Sequence, residues 1–285
     1  MSTTLSQTNA ATTLRPHYEL PKRLSVVLIT WNERARLHKC LTSLLPAMDF
    51  ERHEVLVVDN GSRDGTDEML ASEFPQVRYF ALERNIGVGP ARNRGIALAQ
   101  GEMIMILDND TEVLDMDFPE AIERAFAEDP QLGLLGFRLE NPDGTTQRST
   151  RRLPTILHPM IARISLLQKI PIFRRMLERH LMEDVDLDAL TERTTVDYVL
   201  GANQIFPKAL AVRLNSYDDK IFYGPEDMEF CLRVKDAGLK VQYSNEINIR
   251  HEYQRRTRKF NRLLLKFITA YFWVFWKRGC LFRLK

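Results

Sequence analysis

The sequence predicts an α/β fold, a mainly parallel sheet with helices on both faces, followed by a basic amphipathic helix at the C-terminus. Two observations carry this. From Leu24 onward, short β-branched runs alternate with amphipathic, helix-like stretches, which is the pattern of successive βαβ units. In addition, the 285 residues are 44% hydrophobic, enough to bury the core such a sheet requires.

The strand-like runs are LSVVLIT from Leu24, EVLVVD from Glu54, QVRYFAL from Gln76, EMIMILD from Glu102 and LGLLGFRL from Leu132. Between the first four lie ERARLHKCLTSLL, DGTDEMLASEF and GPARNRGIALAQ, each with apolar residues at helical spacing. Ligands of a parallel sheet gather beyond the carboxyl ends of its strands. Here those ends are polar: Thr30, Trp31, Asn32 and Glu33; Asp59, Asn60, Gly61 and Ser62; Glu83, Arg84 and Asn85; Asp108, Asn109 and Asp110. Four tips are therefore expected to converge on one pocket. After about Pro142 the pattern changes to a basic segment, Arg148 to Leu181, read as two short amphipathic helices broken near Pro171. An acidic loop from Met182 to Glu192 follows it. Regular structure resumes at VDYVLGANQIF, and a helix beginning near Pro225 carries EDMEFCLRVKDAG and stops at Gly238.

Charge and cysteine usage bound the setting. Cys40, Cys231 and Cys280 are odd in number and lack zinc-ligand spacing, which indicates a reducing compartment and a cytoplasmic protein. Residues 1–22 are polar and Thr-rich, without a signal-peptide core, and read as a flexible tail. The net charge of +2 conceals an asymmetry: Tyr253 to Lys285 holds ten Lys or Arg and no acid, leaving −8 on the rest. Within that segment LLLKFITAYFWVFW, fourteen residues, is shorter than the roughly 20 needed to span a bilayer. Residues 253–285 are thus expected to lie on an anionic membrane surface, with Phe267, Tyr271, Phe272, Trp273, Phe275 and Trp276 in the interface. A helix packed on the domain's own core is the alternative. Continuous apolar bulk is not what a nucleic-acid arm needs.

A strand of five apolar residues, Met103 to Leu107, ends in Asp108-Asn109-Asp110. Two carboxylates one residue apart at such a tip suit a hard divalent cation whose other ligands are phosphate oxygens and water. Alone, the pair could equally be solvated loop residues or helix caps. In VVDNGSRDGT, Asp59 is placed to accept from a base imide or a ribose hydroxyl, while Asp64 or a neighbour caps the next helix. In RNIGVGPARNRG, Arg92 or the helix N-terminus could face an anion, or Arg92 could be a structural tether.

VVLITWNE, VVDNGSRDGT, RNIGVGPARNRG, ILDNDTEV, VLGANQIF and FYGPEDMEFCLR, in this order, resemble the inverting glycosyltransferases of family 2, which have the GT-A fold. The resemblance covers about four-fifths of the chain, from Leu24 to His251. It implies a GT-A domain over residues 23–252, with a donor half to about 141 and an acceptor half from about 142. Thr30, Asn32, Glu33, Asp59, Asn85, Arg92 and Asp108 would bind a nucleoside-diphosphate sugar. Asp108, Asp110 and His251 would hold Mg²⁺ or Mn²⁺. Asp227 would be the general base beside Glu226, with Gly201, Ala202 and Asn203 on the acceptor side. The motifs VDYVLGA and Tyr217-Asp218-Asp219 are most similar to bacterial rhamnosyltransferase-like members, which implies a glycan or lipid-linked acceptor at the inner face of the cell membrane. Asn203 and Gln204, where the family is apolar, and EYQRRTRK after His251 depart from the pattern.

Other classes fit less well. A dinucleotide-binding dehydrogenase needs Gly-x-Gly-x-x-Gly after its first strand, where this chain has Trp31-Asn32-Glu33-Arg34. A sugar-nucleotide pyrophosphorylase needs a Gly- and Arg-rich phosphate loop there. A non-catalytic binding protein would have no reason to keep Asp108, Asp110 and Asp227 together.

Overall fold

The computed structural model describes residues 23–252, 262–280 and 282–284. The expected flexible tail, 1–22, and the first part of the basic C-terminal segment, 253–261, lie outside them. The chain runs β1 (Leu24–Thr30), α1 (Arg34–Leu44), β2 (His53–Asp59), α2 (Thr66–Glu73), β3 (Arg78–Ala81), α3 (Val88–Leu98) and β4 (Met103–Asp108). It continues through β5 (Thr111–Val113), α4 (Phe118–Glu128), β6 (Leu132–Glu140), β7 (Thr146–Gln147), β8 (Thr150–Arg151), α5 (His158–Ile161), α6 (Ser165–Gln168) and α7 (Pro171–His180). Last come β9 (Thr194–Thr195), β10 (Tyr198–Val199), β11 (Asn203–Pro207), α8 (Lys208–Arg213), α9 (Glu226–Asp236), β12 (Lys240–His251) and α10 (Arg262–Lys277).

The main sheet has the order β3-β2-β1-β4-β11-β6-β12-β5. β1 pairs in parallel with both β2 and β4, so the chain first winds outward through β3 and then returns to the other side of β1. That reversal opens a crevice at the strand ends, next to Thr30 and Asp108. β11 is antiparallel to β4 and β6, and it stitches the later part of the chain into the middle of the earlier part. Helices cover both faces. On one face α1 buries Leu37, Cys40, Leu41 and Leu44, a single helical stripe, alongside Ala121 and Ile122 of α4. On the other lie Ile96 of α3, Phe230 and Leu232 of α9, and Tyr271 and Phe275 of α10. α9 ends where Gly238 takes φ 76°, as its glycine predicted.

Two regions differ from expectation. The basic segment forms three helices, not two: Pro171 opens α7 at the expected break, and an extended Ile164 adds a second break between α5 and α6. The aromatic face of α10 is also largely core: Tyr271, Val274 and Phe275 are buried. Tyr271 donates to the Thr155 carbonyl at 2.8 Å, Trp273 Nε1 to Asp218 at 3.0 Å, and Lys277 reaches Asp218 and Glu229 at 2.8 Å. The reading that put Phe267, Tyr271, Trp273 and Phe275 into a lipid interface is therefore corrected. Phe267, Tyr271 and Phe275 recur at i, i+4 and i+8 on the face that closes the domain, Trp273 on its flank is held by Asp218, and Phe272 and Trp276 point away. Among the described residues no helix is long and apolar enough to cross a membrane.

Phe275 is 1% exposed and Trp276 72%. Phe275→Ala should cost about 3–5 kcal/mol, whereas Trp276→Ala should stay within about 0.5 kcal/mol. Thermal melts of the two variants decide this; equal melting points would place both residues outside the core.

Candidate active site

The first two strand tips are braced against one another. Asn32 adopts φ 53°, and its side-chain oxygen accepts from the Arg63 amide at 2.8 Å while its own amide donates to Ser62 Oγ at 2.8 Å. Asp59 is buried; one carboxylate oxygen accepts from the Ser62 amide at 2.8 Å and the other from the Tyr79 hydroxyl at 2.9 Å. Asp64 accepts from the Arg34 amide, holding the start of α1 next to Glu33. Thr30 is buried under this rim, where it accepts from Asn109 Nδ2 at 3.0 Å. Asn85 Oδ1 accepts from Asn60 Nδ2 and from the Gly87 amide, and so shapes the loop before α3. Thr30 and the Asn85 oxygen therefore brace the rim from within.

The acidic tip of β4 is completed by a remote strand. β12 pairs antiparallel with β5, His251 opposite Thr111, and the Glu252 amide donates to the Asp110 carbonyl at 2.9 Å. One donor atom from each of Asp108, Asp110 and His251 falls within 4.8 Å of the others. His251 Nε2 stands 3.4 Å from Asp110 Oδ1, and its Nδ1 is 2.7 Å from Gln147 Oε1. Because the Gln147 amide nitrogen donates to Asn141 Oδ1 at 3.1 Å, its oxygen is the atom that faces the ring. Nδ1 then donates to Gln147, and Nε2 is the ring atom turned towards the carboxylates, where it could ligate a metal. Two carboxylates and an imidazole so oriented fit a divalent cation.

Arg92 links this tip to α9. It is buried, with Nη2 donating to Asp108 at 2.8 Å and to the Gly201 carbonyl at 2.9 Å, while Nη1 reaches Glu226 Oε1 at 3.3 Å. Its guanidinium sits 5.6 Å over the Tyr217 ring. Of the two sequence readings, the tether is the one realised. The N-terminus of α3 is also occupied, because the Val88 amide donates to the Phe222 carbonyl and is not open to an anion. Three acceptors of the chain itself take up the two Nη atoms of Arg92, the groups expected to contact the donor, while its buried Nε has no partner among the described residues.

Glu226 and Asp227 lie side by side at the start of α9, both buried. Glu226 accepts from Arg92 and from the Gly224 amide at 2.8 Å. Among the described residues Asp227 accepts from two backbone amides, that of Gly201 at 3.0 Å and that of its neighbour Met228 at 2.6 Å. Burial lifts the Glu226 carboxyl above its ordinary range against the pull of Arg92, and the Asp227 charge adds to the rise. Burial lifts Asp227 likewise, opposed by its two amide donors. Asp108 is also raised by its enclosure, with Arg92 opposing and Asp110 contributing.

Gly201 touches both sides of this network, and Ala202 accepts from the Asp108 amide at 3.1 Å. Asn203 is buried with both amide atoms unpartnered among the described residues, and it alternates in β11 with Gln204, which faces α9. The side chain of Asn203 is thus on the opposite face of the sheet from Asp227, which corrects its expected place among the acceptor contacts.

Three residues escaped sequence reasoning. Gln147 orients His251. Gln204 donates to the Val199 carbonyl and accepts from the Tyr217 hydroxyl at 2.7 Å, and Tyr217 in turn lies under Arg92. The only sequence signal was that a polar Gln204 stands where apolar residues are usual, and a buried amide must find partners. A Cβ on Gly201 would fall 2.4 Å from Arg92 Nη1. Gly201→Ala should therefore displace Arg92 from Asp108 and Glu226 and cost about 1–3 kcal/mol through overpacking. A melting temperature within error of the parent would show that the contact is slack.

Comparison with known proteins agrees with this geometry. A model of "Glycosyl transferase family 2" matches residues 25–183. The chain is 31% identical over 195 residues to the succinoglycan biosynthesis protein ExoO of Rhizobium meliloti, covering 64% of this chain and 55% of that protein. This chain thus spans little more than half of that relative. It is 26% identical over 249 residues to an N-acetylglucosaminyl-diphospho-decaprenol L-rhamnosyltransferase of Mycobacterium tuberculosis, covering 82% and 77%. Among solved structures, GalNAc-T7 with UDP, GalNAc and Mn²⁺ superposes with a TM-score of 0.65 at 18% identity, over 89% of this chain and 48% of that one. S. aureus TarS 1-349 with UDP-GlcNAc superposes with 0.57 at 18%, over 82% and 59%. At such identity these structures establish the fold, which is GT-A, and with the family match they show that the chain belongs to the family 2 glycosyltransferases.

Proposed function

We propose that the chain moves one sugar from a nucleoside diphosphate to a hydroxyl of a glycan or lipid-linked glycan by a single inverting displacement, in cell-surface polysaccharide synthesis at the inner face of the membrane. The observation that supports this most is Arg92, which ties the Asp108 tip to the Glu226-Asp227 pair within one buried network. Rhamnose is the first donor to test, since the relative covering 82% of this chain is named a rhamnosyltransferase.

Roles follow from the environment of each group. Asp59, at the rim of the crevice with Asn32 and Glu33, is the base and ribose contact. Asp108, Asp110 and His251 hold Mg²⁺ or Mn²⁺, which when bound offsets charge on the departing diphosphate. Asp227 takes the acceptor proton. Among the described residues it has no direct ion pair, whereas Glu226 is pinned by Arg92 and is better suited to hold the acceptor. Gly201 and Ala202 supply backbone that fixes Asp227 and Asp108.

Asp227→Asn should keep donor affinity and lose kcat by about 10²–10⁴-fold, and Glu226→Gln should act chiefly on acceptor KM. Steady-state rates at saturating substrates, with donor affinity from calorimetry, separate the two; a dead Glu226→Gln beside an active Asp227→Asn would reverse the assignment. A base must be deprotonated, and burial raises Asp227, so kcat should fall on acidification at a pH above the ordinary carboxylate range.

Asp110→Ala should abolish Mn²⁺ binding and turnover, and full turnover in excess EDTA would refute the metal. Gln147→Leu releases the His251 ring and should weaken Mn²⁺ by about 10–100-fold. Calorimetric titration with Mn²⁺ reads this directly, and unchanged affinity would show that Gln147 does not orient the ligand.

A further inference from the structure

We infer that residues 160–175, spanning α6 and the start of α7, form a docking face for an anionic lipid bilayer. From Ala162 to Ile172 every residue except Leu167 and Gln168 is exposed. Within that run Leu166 and Ile172 are 68% and 62% exposed, and Ile164, Ile170 and the preceding Met160 are open as well. A run of aliphatic side chains this open is unusual on a monomer's surface and calls for a cover. Lys169, Arg174 and Arg175 stand exposed among them, and the one acid between Leu157 and His180, Glu178, is already paired with Arg174 at 2.8 Å. Aliphatic side chains interleaved with cations that outnumber the single nearby acid are what an interfacial segment presents to acidic head groups.

The charge argues against a second copy of the chain as the cover. A two-fold contact would set Lys169, Arg174 and Arg175 against the same residues of the other copy. The position argues for a functional role. Arg163 lies 4.8 Å over the Phe267 ring, and Phe267 packs on Gly224, whose amide holds Glu226. The face is therefore joined by direct contacts to the proposed acceptor side, so docking would set that side near the bilayer. The inference rests on the transferase reading only for this last benefit.

Flotation of the full chain with phosphatidylglycerol and with phosphatidylcholine vesicles tests it. The parent should float with the anionic vesicles alone. A variant with Ile164→Ser, Leu166→Ser, Ile170→Ser and Ile172→Ser, and another with Lys169→Glu, Arg174→Glu and Arg175→Glu, should each bind at least about tenfold more weakly. Mn²⁺ affinity and slow hydrolysis of a panel of nucleotide sugars should be unchanged in both. If the serine variant does not fold, the charge variant decides. Flotation of the variants like the parent, no flotation of the parent, or loss of a dimer as the sole change on sedimentation would overturn the inference. Failure of the transferase reading would show separately, as a parent that neither binds Mn²⁺ nor hydrolyses any donor.

Discussion

A buried arginine makes this site one object. Arg92 enters from α3, on the earlier part of the chain, and its donors end on Asp108 of β4, the Gly201 carbonyl and Glu226 of α9. Removing a guanidinium from water is costly, and opposite charge and hydrogen bonds at good geometry must offset that cost. Here two carboxylates and one carbonyl meet the Nη atoms and Tyr217 lies against the guanidinium face, which together favour the charged form, while Nε has no partner among the described residues. Loss of any partner would leave a charge stranded in the core. The tips of β4 and α9 cannot drift apart without breaking that arrangement, and this rigidity is what a displacement between two bound substrates needs.

Strand pairing does the remaining assembly. Asp110 and His251 are far apart in the chain, yet the three residues of β5 against the end of β12 set them side by side. β11 inserts between β4 and β6, so the Gly201-Ala202 backbone arrives next to Asp108 from a later part of the chain. In both cases a ladder of backbone hydrogen bonds sets the position, and side-chain choice is left free for chemistry.

What could be read from the sequence followed from hydrophobic pattern. β1, β2, β4 and β6 are nearly continuous apolar runs, and α9 has both its acidic start and its glycine stop, so their places were legible. β12 was not, because its middle, Ser244 to Asn248, is a polar register shift that breaks any period. β5 is too short to show a pattern. α10 was legible as a helix but not in its orientation: aromatics cover most of its circumference, and only the partners of Tyr271 and Trp273 reveal which side is inward. Arg92 and Asn85 show the limit of motif reading, since a polar residue beside a pocket can face the ligand or hold the wall, and sequence spacing is the same for both.

The aspartates at the end of an apolar strand are explained by charge balance. Asp108, Asp110, Glu226 and Asp227 bring four carboxylates into one region where, among the described residues, Arg92 is the permanently charged cation in contact, with Asp108 and Glu226. Three negative charges remain uncompensated if all four are ionised, and burial already pushes Asp108, Glu226 and Asp227 towards their protonated forms. A diphosphate alone would worsen the excess. A divalent cation at Asp108, Asp110 and His251 reverses it: the cation favours ionised ligands, and its charge makes the tip receptive to an anion. Cation and nucleotide are then mutually dependent occupants. Asp227 lies outside that ligand set and, among the described residues, is held by two backbone amides, which leaves it free for the proton-accepting role proposed above.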